Sequence, residues 1–128
     1  MEKTFRTPTT FRQSSKHAIR GIWTIIKNER NFRIQLIAAT LTVAISWTLN
    51  ISHQDWIAVG FLIALVLIAE AFNSVIEAVC DTVSEEYRVN IKYAKDVSAG
   101  AVLVSTILSV ILGLIIFLPY IQELITIS

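Results

Sequence analysis

Residues 56–69 read WIAVGFLIALVLIA, fourteen positions without a charge, and the next residue is Glu70. Two further stretches, 34–51 and 97–121, are also uncharged, and with 56–80 they hold 18, 25 and 25 residues. At about 1.5 Å per residue, an apolar run of 17–25 crosses a hydrocarbon core roughly 30 Å thick. These three runs dictate the fold class: an all-α membrane protein with three transmembrane helices, over about 34–51, 56–80 and 97–121. Composition agrees, since 54% of the 128 residues are hydrophobic, more than a single soluble domain of this size can bury. The length suits one integral-membrane domain over 1–128.

The formal net charge of +1 says less than where the charges lie. Eight of the eleven Lys and Arg fall within residues 1–33, and the other three are Arg88, Lys92 and Lys95. Basic loops stay cytoplasmic, so the amino-terminal segment and the 81–96 connection are expected there. The link SHQD (52–55) and the tail after 121 have no Lys or Arg and are expected outside. Trp47 and Trp56 flank that link at headgroup level. A bacterial plasma membrane is the expected location, with no nucleic-acid partner. Residues 1–33 lack the apolar core of a cleavable signal, so the first span is expected to serve as an uncleaved insertion signal. Cys80 stands alone, which excludes an intrachain disulfide and reads as a small apolar filler.

From residue 11 to 31 the pattern is helical. Ile19, Ile22, Trp23 and Ile26 follow i, i+3, i+4, i+7 spacing, with Lys16, Arg20 and Lys27 along a flank. This predicts a basic amphipathic helix lying on the cytoplasmic leaflet; the alternative is a soluble helix packed on the other three. Gly21 is expected to let that helix approach a neighbour closely. The 81–96 segment reads as a polar loop.

A helix turns about 100° per residue, so Glu70, Asn73, Glu77 and Asp81 fall within roughly 80° of arc. With Trp56 at the outer boundary, Glu70 lies about 21 Å further in and Glu77 about 31 Å. The stripe thus climbs from the inner leaflet to the cytosol. A carboxylate at Glu70's depth costs roughly 2–3 kcal/mol or more, so a compensating partner is expected. The bland account is a buried polar network that fixes helix packing. The functional account is that intramembrane acids mark sites. Two acids with an amide between them suit a divalent cation bound through oxygen, with one acid left as a base. Such a site joins a water-soluble phosphate donor to a lipid hydroxyl, with Lys95 and Arg88 available for phosphates. No G-x-x-x-x-G-K or G-x-G-x-x-G occurs, so any kinase activity here uses neither a P-loop nor a protein-kinase nucleotide loop.

AEAFNSVIEAVCD (69–81) together with YAKDVSAGAVL (93–103) resembles the small integral-membrane diacylglycerol kinase family. NERNF (28–32) and GLIIFLP (113–119) are most similar to its Gram-positive undecaprenol kinase branch. The resemblance extends from about residue 11 to 119. It implies a homotrimer of three-span protomers with a surface helix, active sites between subunits, and transfer of the ATP γ-phosphate to a lipid alcohol with Mg²⁺. On matching positions it implies Glu70 as catalytic base and Glu29 and Glu77 as metal ligands. His17, Glu86, Tyr87, Arg88, Lys95 and Asp96 become nucleotide contacts, with Asn73, Asp81, Ser98 and Arg12 in support of the site or substrate. Two departures stand out. Thr10 occupies the place of an amino-terminal arginine, for which Arg12 is the nearest substitute, and Ile34-Gln35 replaces a Gln-Glu pair.

The sequence therefore points to a lipid kinase acting on undecaprenol, with diacylglycerol as the alternative acceptor. A proton-translocating subunit with Glu70 as carrier is the reading from a different class. A purely structural scaffold leaves three acids on one helix face unexplained.

Overall fold

A computed structural model describes residues 10–83 and 88–127. Its four helices are α1 (Phe11–Asn28), α2 (Arg30–Thr48), α3 (His53–Cys80) and α4 (Arg88–Ile127), and no strand occurs among the described residues.

α1 starts at a capping box. Thr10 N–H donates to Gln13 Oε1 at 3.1 Å, and Gln13 N–H donates to Thr10 Oγ1 at 3.4 Å. Ile19, Ile22 and Trp23 remain 69%, 58% and 68% exposed, so the apolar stripe is not spent on the other helices. Gly21 has no neighbour within 4 Å of where a Cβ would stand, so the expected close approach there is not made.

α1 ends at Asn28 rather than continuing to 31. Glu29 takes an extended conformation (φ −97°, ψ 112°), closing α1 and opening α2. Arg33 holds this corner. Its Nη1 donates to the carbonyls of Lys27 at 2.8 Å and Ile26 at 3.2 Å, two of the acceptors that a helix end leaves without intrahelical partners.

α2 begins at Arg30, four residues before the uncharged run, and stops at Thr48. A Schellman arrangement ends it. Ile51 N–H reaches Ser46 O at 3.3 Å, Asn50 N–H reaches Trp47 O at 3.2 Å, and Asn50 adopts φ 49°. The expected outer link 52–55 is consequently short. Ser52 caps α3, accepting from Asp55 N–H at 3.2 Å, and 53–55 form its first turn.

Two helices, α3 and α4, are long and apolar enough to cross a membrane, and few residues of either apolar window are buried. Core helices of soluble proteins are mostly buried, so the low burial separates these two from them. α2 falls short of that standard because Arg30 and Arg33 occupy its first turn and polar residues recur along it. The hydroxyls among them are satisfied locally: Thr40, Thr42 and Ser46 donate to carbonyls four residues back at 2.8, 2.9 and 2.8 Å.

α4 is the largest departure from the sequence reading. It starts at Arg88, so much of the expected 81–96 loop is helix. Its 40 residues make a rod about 60 Å long, and Pro119 lies within it. α3 and α4 are antiparallel and pack most extensively on one another. Ser109 Oγ donates to Leu62 O at 3.4 Å midway along the pair. At the end of the pair next to the α2–α3 turn, the Tyr120 hydroxyl accepts from Ser52 N–H at 2.9 Å and donates to Asp55.

That hydroxyl ties the α2–α3 turn to α4. Tyr120→Phe leaves Ser52 N–H and Asp55 without it and should cost about 1–2 kcal/mol, read as a lower Tm of the detergent-solubilised protein.

Candidate functional site

The carboxylate stripe of α3 is sorted by burial. Glu70 is 3% exposed and Asn73 8%, whereas Glu77 and Asp81 are exposed. Glu70 Oε2 accepts a hydrogen bond from Gln35 Nε2 of α2 at 2.9 Å. The partner that the depth of Glu70 demanded is therefore an amide rather than a cation. Gln35 was noticed in the sequence only as a departure; as the lone amide in 34–48, it was also the available donor in that run.

One turn on, Asn73 bridges two helices. Its Nδ2 donates to Glu77 Oε1 at 3.3 Å, and its Oδ1 accepts from the Ser98 hydroxyl of α4 at 2.7 Å. Ser98 is itself 6% exposed and contacts Lys95 O at 3.0 Å. At the polar end, Lys95 Nζ lies 2.6 Å from Asp81 Oδ1. The hydrogen bond that Lys95 donates to Asp81 raises the Lys95 pKa above the ordinary lysine value, so this ammonium stays charged at neutral pH. Asp96 pairs instead with Lys92 on its own helix, at 2.5 Å, with both side chains largely exposed. Exposed pairs of this kind contribute little to stability.

Glu70, Asn73, Glu77, Asp81, Lys95 and Ser98 thus lie along the α3–α4 seam and its junction with α2. Glu29 and His17 do not. They line a cleft of about 790 Å³ between α1 and an adjacent flank of α3, against Ala71, Ser74 and Ala78. Glu77 and Ala78 point roughly 100° apart around α3, so Glu29 and Glu77 of one chain address different sides of that helix. Arg12 is exposed in the first turn of α1, where Thr10 is occupied as the cap. Arg88 opens α4. Glu86 and Tyr87 lie outside the described residues. Among the described residues no three or more His, Cys, Asp or Glu gather in a metal-holding arrangement.

A second cavity, about 370 Å³, lies among α2, α3 and α4. Its walls are mostly aliphatic, including Ala38, Val59, Val66 and Leu114, and Gln35 is the amide on its lining. An acid hydrogen-bonded to the wall of a hydrocarbon-lined space, with charged groups two to three turns further along α3, suits an amphiphilic substrate with a reactive polar end.

The family model for prokaryotic diacylglycerol kinase matches residues 16–117, which take in α2, α3 and most of α1 and α4. The chain belongs to the prokaryotic diacylglycerol kinase family. As a member it is a lipid kinase with ATP as phosphoryl donor, in a family integral to membranes. It is 37% identical over 109 residues to the undecaprenol kinase of Bacillus subtilis, covering 85% of this chain and 89% of that one. It is 36% identical over 93 residues to the diacylglycerol kinase of Escherichia coli K12, covering 73% and 74%. With the diacylglycerol kinase of Synechocystis the identity is 37% over 110 residues, covering 83% of this chain and 61% of the longer relative.

Removing the α3–α4 bridge tests the seam as structure. Ser98→Ala leaves the buried Asn73 carbonyl unpaired and should destabilise the fold by about 1–3 kcal/mol, measured by thermal unfolding in micelles.

Proposed function

We propose that this kinase phosphorylates undecaprenol to undecaprenyl phosphate at the cytoplasmic face of a bacterial plasma membrane. The observation that carries the acceptor is the 37% identity to an undecaprenol kinase over 85% of this chain and 89% of the relative. Glu70, buried among apolar helices beside the α2–α3–α4 cavity, carries the chemistry.

In this reading α2 is a third span, supported by the local satisfaction of its hydroxyls. α1 lies on the inner leaflet, and Lys95 and Arg88 face the cytosol. Glu70 is the catalytic base. Its carboxylate takes the proton of the lipid hydroxyl as that oxygen forms a bond to the γ-phosphorus and the bond to the ADP oxygen breaks. Lys95, held cationic by Asp81, receives phosphate charge, with His17, Arg88 and Asp96 as further nucleotide contacts. Glu86 and Tyr87 belong to the same set by sequence. Asn73 and Ser98 fix the face of α3 that carries the acids.

Glu77 and Glu29 would hold Mg²⁺. The exposed Glu77 carboxylate and the half-buried Glu29 fit an ion that binds through one or two carboxylates together with substrate phosphates. The ion supplies neutralisation of the phosphate charge. Glu29 and Glu77 face different sides of α3 within one chain, and an assembly in which Glu29 of one subunit meets Glu77 of its neighbour brings them together. That favours the homotrimer with sites between subunits.

Glu70→Gln should lower turnover by at least about 100-fold while leaving the helical circular dichroism unchanged; wild-type turnover in that variant removes the proposed base. With labelled ATP and a panel of lipid alcohols, undecaprenol should be preferred, and a strong preference for diacylglycerol overturns the acceptor. Single cysteines at 77 and 81 should react with impermeant maleimide only from the cytoplasmic side, and labelling from outside removes the site from ATP.

A further inference from the structure

Gln35 has no task in the reading above. It is the one amide in the 34–48 run, and its two polar atoms are treated unequally. Nε2 donates to Glu70 Oε2 at 2.9 Å, whereas Oε1 is buried with no hydrogen-bond partner. The orientation of the amide is decided by chemistry. Against the ionised carboxylate that a base requires, the reverse orientation would set a carbonyl oxygen on a carboxylate oxygen at hydrogen-bond distance, two acceptors facing one another.

A buried acceptor without a partner costs free energy, and a methionine of similar volume would fill the same space beside Ala38, Ala39 and Leu67 without that cost. Packing of α2 on α3 therefore does not account for an amide here. Its N–H does: it reaches the one buried acid of α3 and does so from the wall of the hydrocarbon-lined cavity.

Taking Glu70 as the base of the proposed kinase, we infer that Gln35 is its positioning residue. The Nε2–H holds one carboxylate oxygen, which fixes the rotation of the carboxyl group and leaves the other oxygen to meet the lipid hydroxyl. Gln35 touches neither nucleotide nor phosphate and acts through Glu70.

Two variants test this. Gln35→Met keeps the shape and deletes the donor; Gln35→Leu deletes it in a shorter aliphatic side chain. Each is expected to lower kcat by about 10–100-fold, as a misplaced catalytic group does, with KM for lipid and for ATP within about two-fold of wild type. Gln35→Met also takes the partner from a buried carboxylate, so the protein should melt lower than wild type while remaining folded, and kcat is read on the folded protein. In a Glu70→Gln background, Gln35→Met should add no further loss, because the two residues act as one unit. A kcat within two-fold of wild type in Gln35→Met overturns the inference, and so does a full additional loss in the Glu70→Gln background.

A readout without turnover separates this inference from the kinase reading. The Glu70 carboxylate stretch, taken as the infrared difference between wild type and Glu70→Gln, should shift in Gln35→Met as the hydrogen bond is lost. An unchanged band overturns the hold of Gln35 on Glu70. If the wild type phosphorylates no lipid alcohol, the kinase reading falls, and the infrared comparison still upholds or overturns that hold.

Discussion

A carboxylate set among hydrocarbon has few ways to exist, and Glu70 is 3% exposed on a helix of aliphatic residues. Removing an ionised group from water without a partner costs far more than a single helix contact returns. The helices around Glu70 are arranged to meet that requirement. α2 brings an amide to it, and α3 continues far enough that the next acids on the same face reach water. α4 supplies a serine and a lysine to the groups that follow. Buried acid, bridging amide and solvated ion pair form one series along the seam, with polarity rising toward the carboxyl-terminal end of α3.

The same constraint governs the join between α3 and α4. Apolar side chains give lipid-facing helices little preferred register, because lipid tails are as apolar as leucine. Register is set by a few polar contacts instead: Ser98 on Asn73 near one end, Ser109 on a backbone carbonyl in the middle, and Tyr120 on Ser52 and Asp55 at the other. These also fix which way Asn73 faces, and through it Glu77. A long α4 serves both ends. It reaches past α3 at the polar side, so Lys95 sits on the helix rather than in a loop, and its partner Asp81 lies just past the end of α3.

Much of this was legible in the chain. The uncharged run ending at Glu70 and the 70, 73, 77, 81 spacing predicted one acidic face rising toward water, and the Asn73–Glu77 hydrogen bond lies on that face. The amphipathic spacing of Ile19, Ile22 and Trp23 predicted a surface helix, and those residues are exposed. Other features were not legible. The break at Glu29 depends on Arg33 folding back onto the carbonyls of Ile26 and Lys27, a contact that periodicity does not encode. The helical start of α4 at Arg88 was hidden by its polarity, since a helix standing beyond the apolar layer has no greasy stripe to announce it. Gln35 looked like a departure from a pattern because its partner lies 35 residues away.

The sequence by itself determined what each helix can tolerate around it and at what depth its charges lie, because rise per residue and the cost of burying charge are local properties of a helix. Which side chains meet was decided only by the tertiary structure. Glu70 with Gln35, Asn73 with Ser98, and Glu29 on a different side of α3 from Glu77 all follow from how the helices are rotated against one another. That rotation is set by contacts between residues far apart in the chain, and no run of one helix carries it.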